Sequence, residues 1–181
     1  MKRGFLTFMV VGVISALLAC GGGRAFGEEQ RSVFDVIAVN SAITPAITDY
    51  VTKSIERSHA DGSTGIIILL DTPGGLDLAM RDIVKELLNP PLPVIVYVYP
   101  SGARAASAGV MITMAASVAV MAPGTNIGAA HPVAIGIGGK MDDTMAKKVE
   151  NDAVAYARGI AQQRMRNADW AEKAVRESVS I

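Results

Sequence analysis

The sequence predicts an α/β domain with a mostly parallel sheet flanked by helices, and three observations carry that prediction. Strand-length apolar runs, "VFDVIAVN" (33–40), "GIIILLD" (65–71) and "VIVYVY" (94–99), alternate with stretches of helical periodicity. The second and third runs are continuously apolar, as expected of strands covered on both faces. Two glycine-rich breaks, "DTPGG" and "PSGARAASAG", fall between strand and helix, at the carboxyl edge where such sheets form their sites.

Each element follows from its residues. The first run alternates and carries β-branched residues, so it reads as a strand. In "TPAITDYVTKSIERSHADG", Thr44 can cap a helix, Pro45 suits its first turn, and Ile47, Val51 and Ile55 share one face. After the strand 65–71, "LDLAMRDIVKELLN" (76–89) is helical, with Leu78, Ile83, Leu87 and Leu88 offered to a core, and "PPLP" stops it. "VIVYVY" is the next strand. "SAGVMITMAA" (107–116) reads as a short buried helix and "SVAVMA" (117–122) as a short strand. A long helix is expected over 143–166, and a last one over 169–178 with Asp169 as its cap. The segment 133–145, "VAIGIGGKMDDTM", has little periodicity and is expected as a flap beside a site.

Composition narrows the function classes. Half of the 181 residues are hydrophobic and 19% are charged, which excludes a disordered tail protein. Formal net charge is zero with no basic block, so nucleic acid is not an expected partner. One cysteine, Cys20, and two histidines, His59 and His131, are too few for a Cys/His metal site or a disulfide framework; no metal and no cofactor is expected. Residues 1–27 have the charged start and apolar middle of a signal peptide or membrane anchor. Ala25-Phe26-Gly27 is a small-x-small cleavage site, and "LLAC" resembles a lipoprotein box at Cys20. Each ending sends residues 28–181 out of the cytoplasm.

The chemistry lies at the two breaks. Gly74-Gly75 is either a plain strand-to-helix turn or a pair of backbone N–H groups at a helix start, able to hold an oxyanion. A phosphate loop fits less well, because neither a Lys-Ser/Thr pattern nor GxGxxG is present. Ser107 opens the next helix among Ala105, Ala106, Ala108 and Gly109. It is either a helix cap or a nucleophile, whose hydroxyl needs an open position beside the N–H of the following residue. The absence of GxSxG disfavours an ordinary α/β-hydrolase.

Taken together, "LLDTPGG", then "AASAG" about 30 residues later, then "MAPGTNIGAAHPV", resemble the NfeD family of membrane-associated serine proteases. These belong with signal peptide peptidase A to the ClpP/crotonase-like group, and the likeness runs from about residue 33 to 178. The resemblance implies a ββα superhelix, Ser107 as nucleophile, and the N–H groups of Gly75 and Ala108 as oxyanion donors, with Gly74 shaping the turn. It also implies a lysine base about 40 residues after the serine, which falls on Lys148 in "KKVENDAVAY". A lysine serves only when neutral, so its pKa must drop from about 10.4 towards 7–8. Asp152, one turn on, works against that, and Lys147 works for it. His131 is the alternative base, 24 residues after Ser107 in a His-Pro setting like that of ClpP, although no motif assigns it an orienting acid among Asp142, Asp143 and Asp152.

The function implied is cleavage of hydrophobic segments of membrane proteins, with stomatin-like proteins as substrates, by a membrane-associated and extracytoplasmic enzyme acting as a homo-oligomer. Two alternatives stand beside it: a crotonase-like acyl-CoA enzyme, which shares the fold and the oxyanion device, and an inactive scaffold binding a stomatin-like partner. Longer NfeD relatives carry membrane helices and a small β-barrel after the protease domain, so 28–181 is expected to be a protease domain truncated at its C-terminus. Among the other side chains, Asp71 is expected to tie down the "TPGG" turn and Arg104 to touch substrate or hold its loop. His59 is expected to be exposed, and Tyr156 and Trp170 to pack.

Overall fold

The computed structural model describes residues 32–133 and 142–181. The leader 1–27 and most of the expected flap therefore lie outside the described residues. The chain runs β1 (Phe34–Val39), α1 (Pro45–Ala60), β2 (Gly65–Leu70), α2 (Asp77–Leu88) and β3 (Val94–Val98). It continues with β4 (Arg104–Ala106), α3 (Ala108–Ala115), β5 (Val118–Met121), β6 (Asn126–Gly128), α4 (Asp143–Gln163) and α5 (Ala168–Arg176).

Strands β1, β2, β3 and β5 form one parallel sheet in that order. Each step goes the same way, and right-handed crossovers in such an order all fall on one face. The burial pattern agrees. Ile66, Ile68, Leu70, Val94, Val96 and Val98 are buried, whereas their alternates Ile67, Leu69, Ile95 and Tyr97 are only half-buried. In register with those alternates stand the exposed Val36 and Ala38 of β1 and Val118 and Val120 of β5. The expectation that 65–71 and 94–99 are covered on both faces is corrected. A strand order without reversal leaves no crossover for the second face.

Between each long strand and its helix lies a short extended piece. Ile43 bridges Gly75, Thr72 bridges Ala105, β4 pairs with β6 in parallel, and Gly128 bridges Ser180 in antiparallel fashion. These pieces make a second ladder across the repeats, so the unit is ββα rather than βα, as the fold class required. The ladder sits where the sheet's carboxyl ends meet the helix starts and holds both glycine-rich breaks.

The helices are fixed by their ends and stripes. The Thr44 hydroxyl accepts from the Ile47 N–H at 3.4 Å, and Val51 and Ile55 are buried. In α2 the buried stripe is Ala79, Met80, Ile83, Val84 and Leu87; Leu78 lies off it and is 78% exposed, contrary to the core role expected. Every residue of α3 is buried, which suits its lack of polar periodicity. Helix α4 is capped by Asp142, which accepts from the Met145 N–H at 2.9 Å, and stops at Gln163 rather than 166. The cap of α5 is Asn167, accepting from the Trp170 N–H at 2.9 Å, and not Asp169. Asp169 lies inside the first turn, where its carboxylate pairs with Arg158 at 2.9 Å.

Two arginines close helix ends that the sequence left open. Arg164 donates to the Ala115 carbonyl at 2.8 Å and to that of Leu87, and Arg166 donates to the Met114 carbonyl. The cationic groups thus sit on orphan carbonyls at the C-termini of α2 and α3.

Candidate active site

The first side of the site is the turn after β2. Thr72 is fully buried, and its hydroxyl accepts from the Gly74 N–H at 3.1 Å and donates to the Gly74 carbonyl at 3.2 Å. Gly74 has φ +115°, and a Cβ there would lie 2.6 Å from the Ser107 Cβ. A Cβ on Gly75 would lie 2.2 Å from the Ile43 carbonyl oxygen. Close approach therefore demands glycine at both positions, and at Gly74 the positive φ demands it as well. The Gly74 carbonyl accepts from the Ile43 N–H at 2.8 Å and the Leu76 N–H donates to the Ile43 carbonyl at 2.9 Å. Successive peptide groups in extended chain alternate sides, so the Gly75 N–H points away from Ile43. Among the described residues it has no backbone partner. Asp71 does not tie down this turn: its carboxylate accepts from the Arg104 N–H at 3.0 Å and so fastens β4 beside β2. Thr72 holds the turn in place of Asp71.

The second side is the junction of β4 and α3. Ser107 has φ 53° and ψ −115°, a strained conformation for a residue with a side chain. Its N–H donates to the Gly128 carbonyl at 3.3 Å and its carbonyl accepts from the Val110 N–H at 3.0 Å, so ladder and helix hold it from both sides. The hydroxyl makes no capping hydrogen bond to α3, although the residue occupies the cap position. Ala108 opens the helix, where N–H groups lack intrahelical partners. Gly109 lets the junction seat, since a Cβ there would lie 2.7 Å from Thr72 Cγ2.

A cleft of about 530 Å³ collects these pieces. Gly75, Ser107 and Ala108 line it together with Lys148 from α4, while Met80, Met111 and Ala153 help make it apolar. Lys148 is exposed, and among the described residues it makes no ion pair. Asp152, expected to hold the lysine's charge in place, is paired with Arg81 of α2. Arg81 also pairs with Asp77 at 2.8 Å, and its guanidinium lies 4.3 Å from the centre of the Tyr156 ring. All four side chains line the cleft. The spacing of Asp77 and Arg81, one turn apart, was visible in the sequence; the meeting with Asp152 and Tyr156 was not.

His131 stands apart from this cleft. Its Nδ1–H donates to the Val175 carbonyl at 3.0 Å, and the ring lines a second cleft of about 240 Å³ with Asp143, Lys147 and Glu150. No carboxylate orients its Nδ1. Arg104 and His59 are exposed, and Tyr156 and Trp170 are half-buried against the core. Among the described residues there is no group of three or more His, Cys, Asp or Glu able to hold a metal ion, and no helix long and apolar enough to cross a membrane.

Residues 33–181 match the family model of the NfeD1b N-terminal domain. The chain is 36% identical over 154 residues to the membrane-bound protease PH1510 of Pyrococcus horikoshii, which covers 83% of this chain and 34% of that protein. The chain thus spans about a third of the length of that relative. Among solved structures, it is similar to two mutants of the 1510-N membrane-bound stomatin-specific protease, each with a TM-score of 0.77. One replaces a serine by alanine and is 36% identical, covering 83% of this chain and 73% of that one. The other replaces a lysine by alanine and holds a substrate peptide; it is 35% identical, covering 84% and 69%. ClpP1 from Listeria monocytogenes, 18% identical with a TM-score of 0.62 over 81% of each chain, shares the fold.

Proposed function

The chain belongs to the NfeD1b N-terminal-domain family, and on that footing we propose that it is a membrane-associated serine endopeptidase with a Ser107–Lys148 dyad. The observation that carries this reading is one cleft holding a strained, uncapped serine, a lysine, and two backbone N–H groups without a partner among the described residues. Ser107 Oγ attacks the peptide carbonyl carbon while Lys148 Nζ takes the hydroxyl proton. Gly75 and Ala108 donate to the oxygen as it becomes negative. Collapse of the tetrahedral intermediate breaks the C–N bond, and the lysine returns the proton to the leaving amine. Water, deprotonated by the now neutral Lys148 amine, then hydrolyses the acyl-enzyme and frees Ser107.

The substrates are apolar segments of membrane proteins, stomatin-like proteins among them. Support comes from the apolar walls of the cleft and from the stomatin specificity of the similar protease. Residues 1–27 act as leader or anchor to an extracytoplasmic protease domain over 28–181. The enzyme works as a homo-oligomer; the open apolar face of the sheet, with Phe34, Val36, Val118 and Val120 exposed, is surface of the kind that association covers.

Cleavage of an apolar stomatin-tail peptide by the chain, beside Ser107→Ala, Lys148→Ala and His131→Ala, tests the assignment. The serine and lysine variants are expected to lose about 10³-fold or more in kcat/KM, with the histidine variant close to wild type. Loss in the histidine variant with full activity in the lysine variant moves the base to His131. A wild type that binds the peptide and leaves it whole gives the site to the scaffold alternative.

A further inference from the structure

Arg81 is the cleft-lining cation that no catalytic step uses. Three contacts hold it: Asp77 on its own helix, Asp152 on α4, and the face of Tyr156, also on α4. Its side chain is only 25% exposed, so the charge is partly withdrawn from water and its partners matter more than at an open surface. Helix α2 begins just after Gly75 and helix α4 carries Lys148. Arg81 therefore ties the helix behind one candidate oxyanion donor to the helix of the candidate base.

Asp152 lies four residues after Lys148, the spacing at which a helical carboxylate and ammonium meet on one face. Left to itself, that carboxylate favours the charged lysine, which takes no proton. The other charged or titratable groups lining the cleft are Asp77, Arg81, Ser107 and Tyr156. Asp143, Lys147, Glu150 and His131 line the neighbouring one. Among these, Asp77 and Asp152 are the carboxylates on the lysine's side, and Arg81 pairs with both.

We propose that Arg81 is a positioning residue for the dyad: by taking Asp152 into a fork with Asp77, it keeps that carboxylate from pairing with Lys148. This rests on the Ser107–Lys148 reading. The test is the pH profile of kcat/KM on an internally quenched apolar peptide, using the full chain and Arg81→Met, Arg81→Met/Asp152→Asn and Lys148→Ala. Arg81→Met is expected to move the alkaline-rising limb up by about one pH unit, as a newly available opposite charge does to a lysine. At neutral pH it loses about tenfold in kcat, with KM changed less. Adding Asp152→Asn is expected to bring the limb and the rate back, which a merely structural arginine would not allow. If Arg81→Met does not fold, Arg81→Lys serves: one ammonium lacks the two-carboxylate fork, and the same upward shift, cancelled by Asp152→Asn, is expected. An unmoved limb, or a loss that Asp152→Asn does not restore, overturns the proposal while a dead Lys148→Ala leaves the dyad standing. A Lys148→Ala enzyme as active as wild type overturns both.

Discussion

At the scale of single residues, the site depends on atoms that touch no substrate. The Thr72 hydroxyl satisfies both polar groups of Gly74 inside the protein, and Gly74 in turn makes room for Ser107. Thr72→Val keeps the shape and removes the hydroxyl, leaving a buried N–H without a partner. Thermal denaturation is expected to show a loss of about 1–3 kcal/mol, and peptide cleavage a larger fall in kcat than rise in KM. Gly75→Ala sets a methyl against the Ile43 carbonyl and must open the 43–75 bridge. Its expected result is a protein that folds less stably and cleaves at least about tenfold more slowly, measured by melting and by the same peptide assay.

At the scale of elements, α1 is legible in sequence through its stripe and local cap, but the C-terminal ends of α2 and α3 depend on side chains far along the chain. Arg164 reaches the last carbonyls of α2 and α3 from the end of α4. Arg164→Gln keeps some donor capacity and loses the charge and the fork. An urea titration is expected to register a loss of about 1.5–3 kcal/mol, the range for a hydrogen bond to a charged group. Asn167→Ala removes the cap of α5 at an expected cost of about 1 kcal/mol, whereas Asp169→Ala loses only an exposed ion pair and is expected to cost less than half of that. The sequence is read with Asp169 as that cap, and the structure puts Asn167 there, its side-chain oxygen accepting from the Trp170 N–H.

At the scale of the whole molecule, carboxylates link stability to pH. The Arg176 guanidinium, and then that of Arg158, hold the Glu172 carboxyl below its usual range; Ser58, and then Ser63, do the same for Asp35. A lowered value in the folded state means that the unfolded chain binds more protons between the two values. This stabilisation is complete above the ordinary carboxylate range and is lost as pH falls through the lowered values. The Tm gap between wild type and Glu172→Gln is therefore expected to narrow on acidification below about pH 5, and a gap that widens would reverse the sign of the linkage.

By itself, the sequence determined the fold class, the order of most elements and the two glycine-rich breaks at the site, while its resemblance to a family pointed to Lys148 as their partner. Apolar period, glycine spacing and the ordered motifs are local properties, and these carried that much. Only the tertiary structure decided that one face of the sheet stays open among the described residues, because coverage follows from strand order rather than from the composition of any strand. It also decided that Thr72 and not Asp71 holds the turn, that His131 turns to Val175, and that Asp152 meets Arg81 from 71 residues away. Each of those is a choice among partners of similar chemistry, and what separates them is distance, which the chain acquires only on folding.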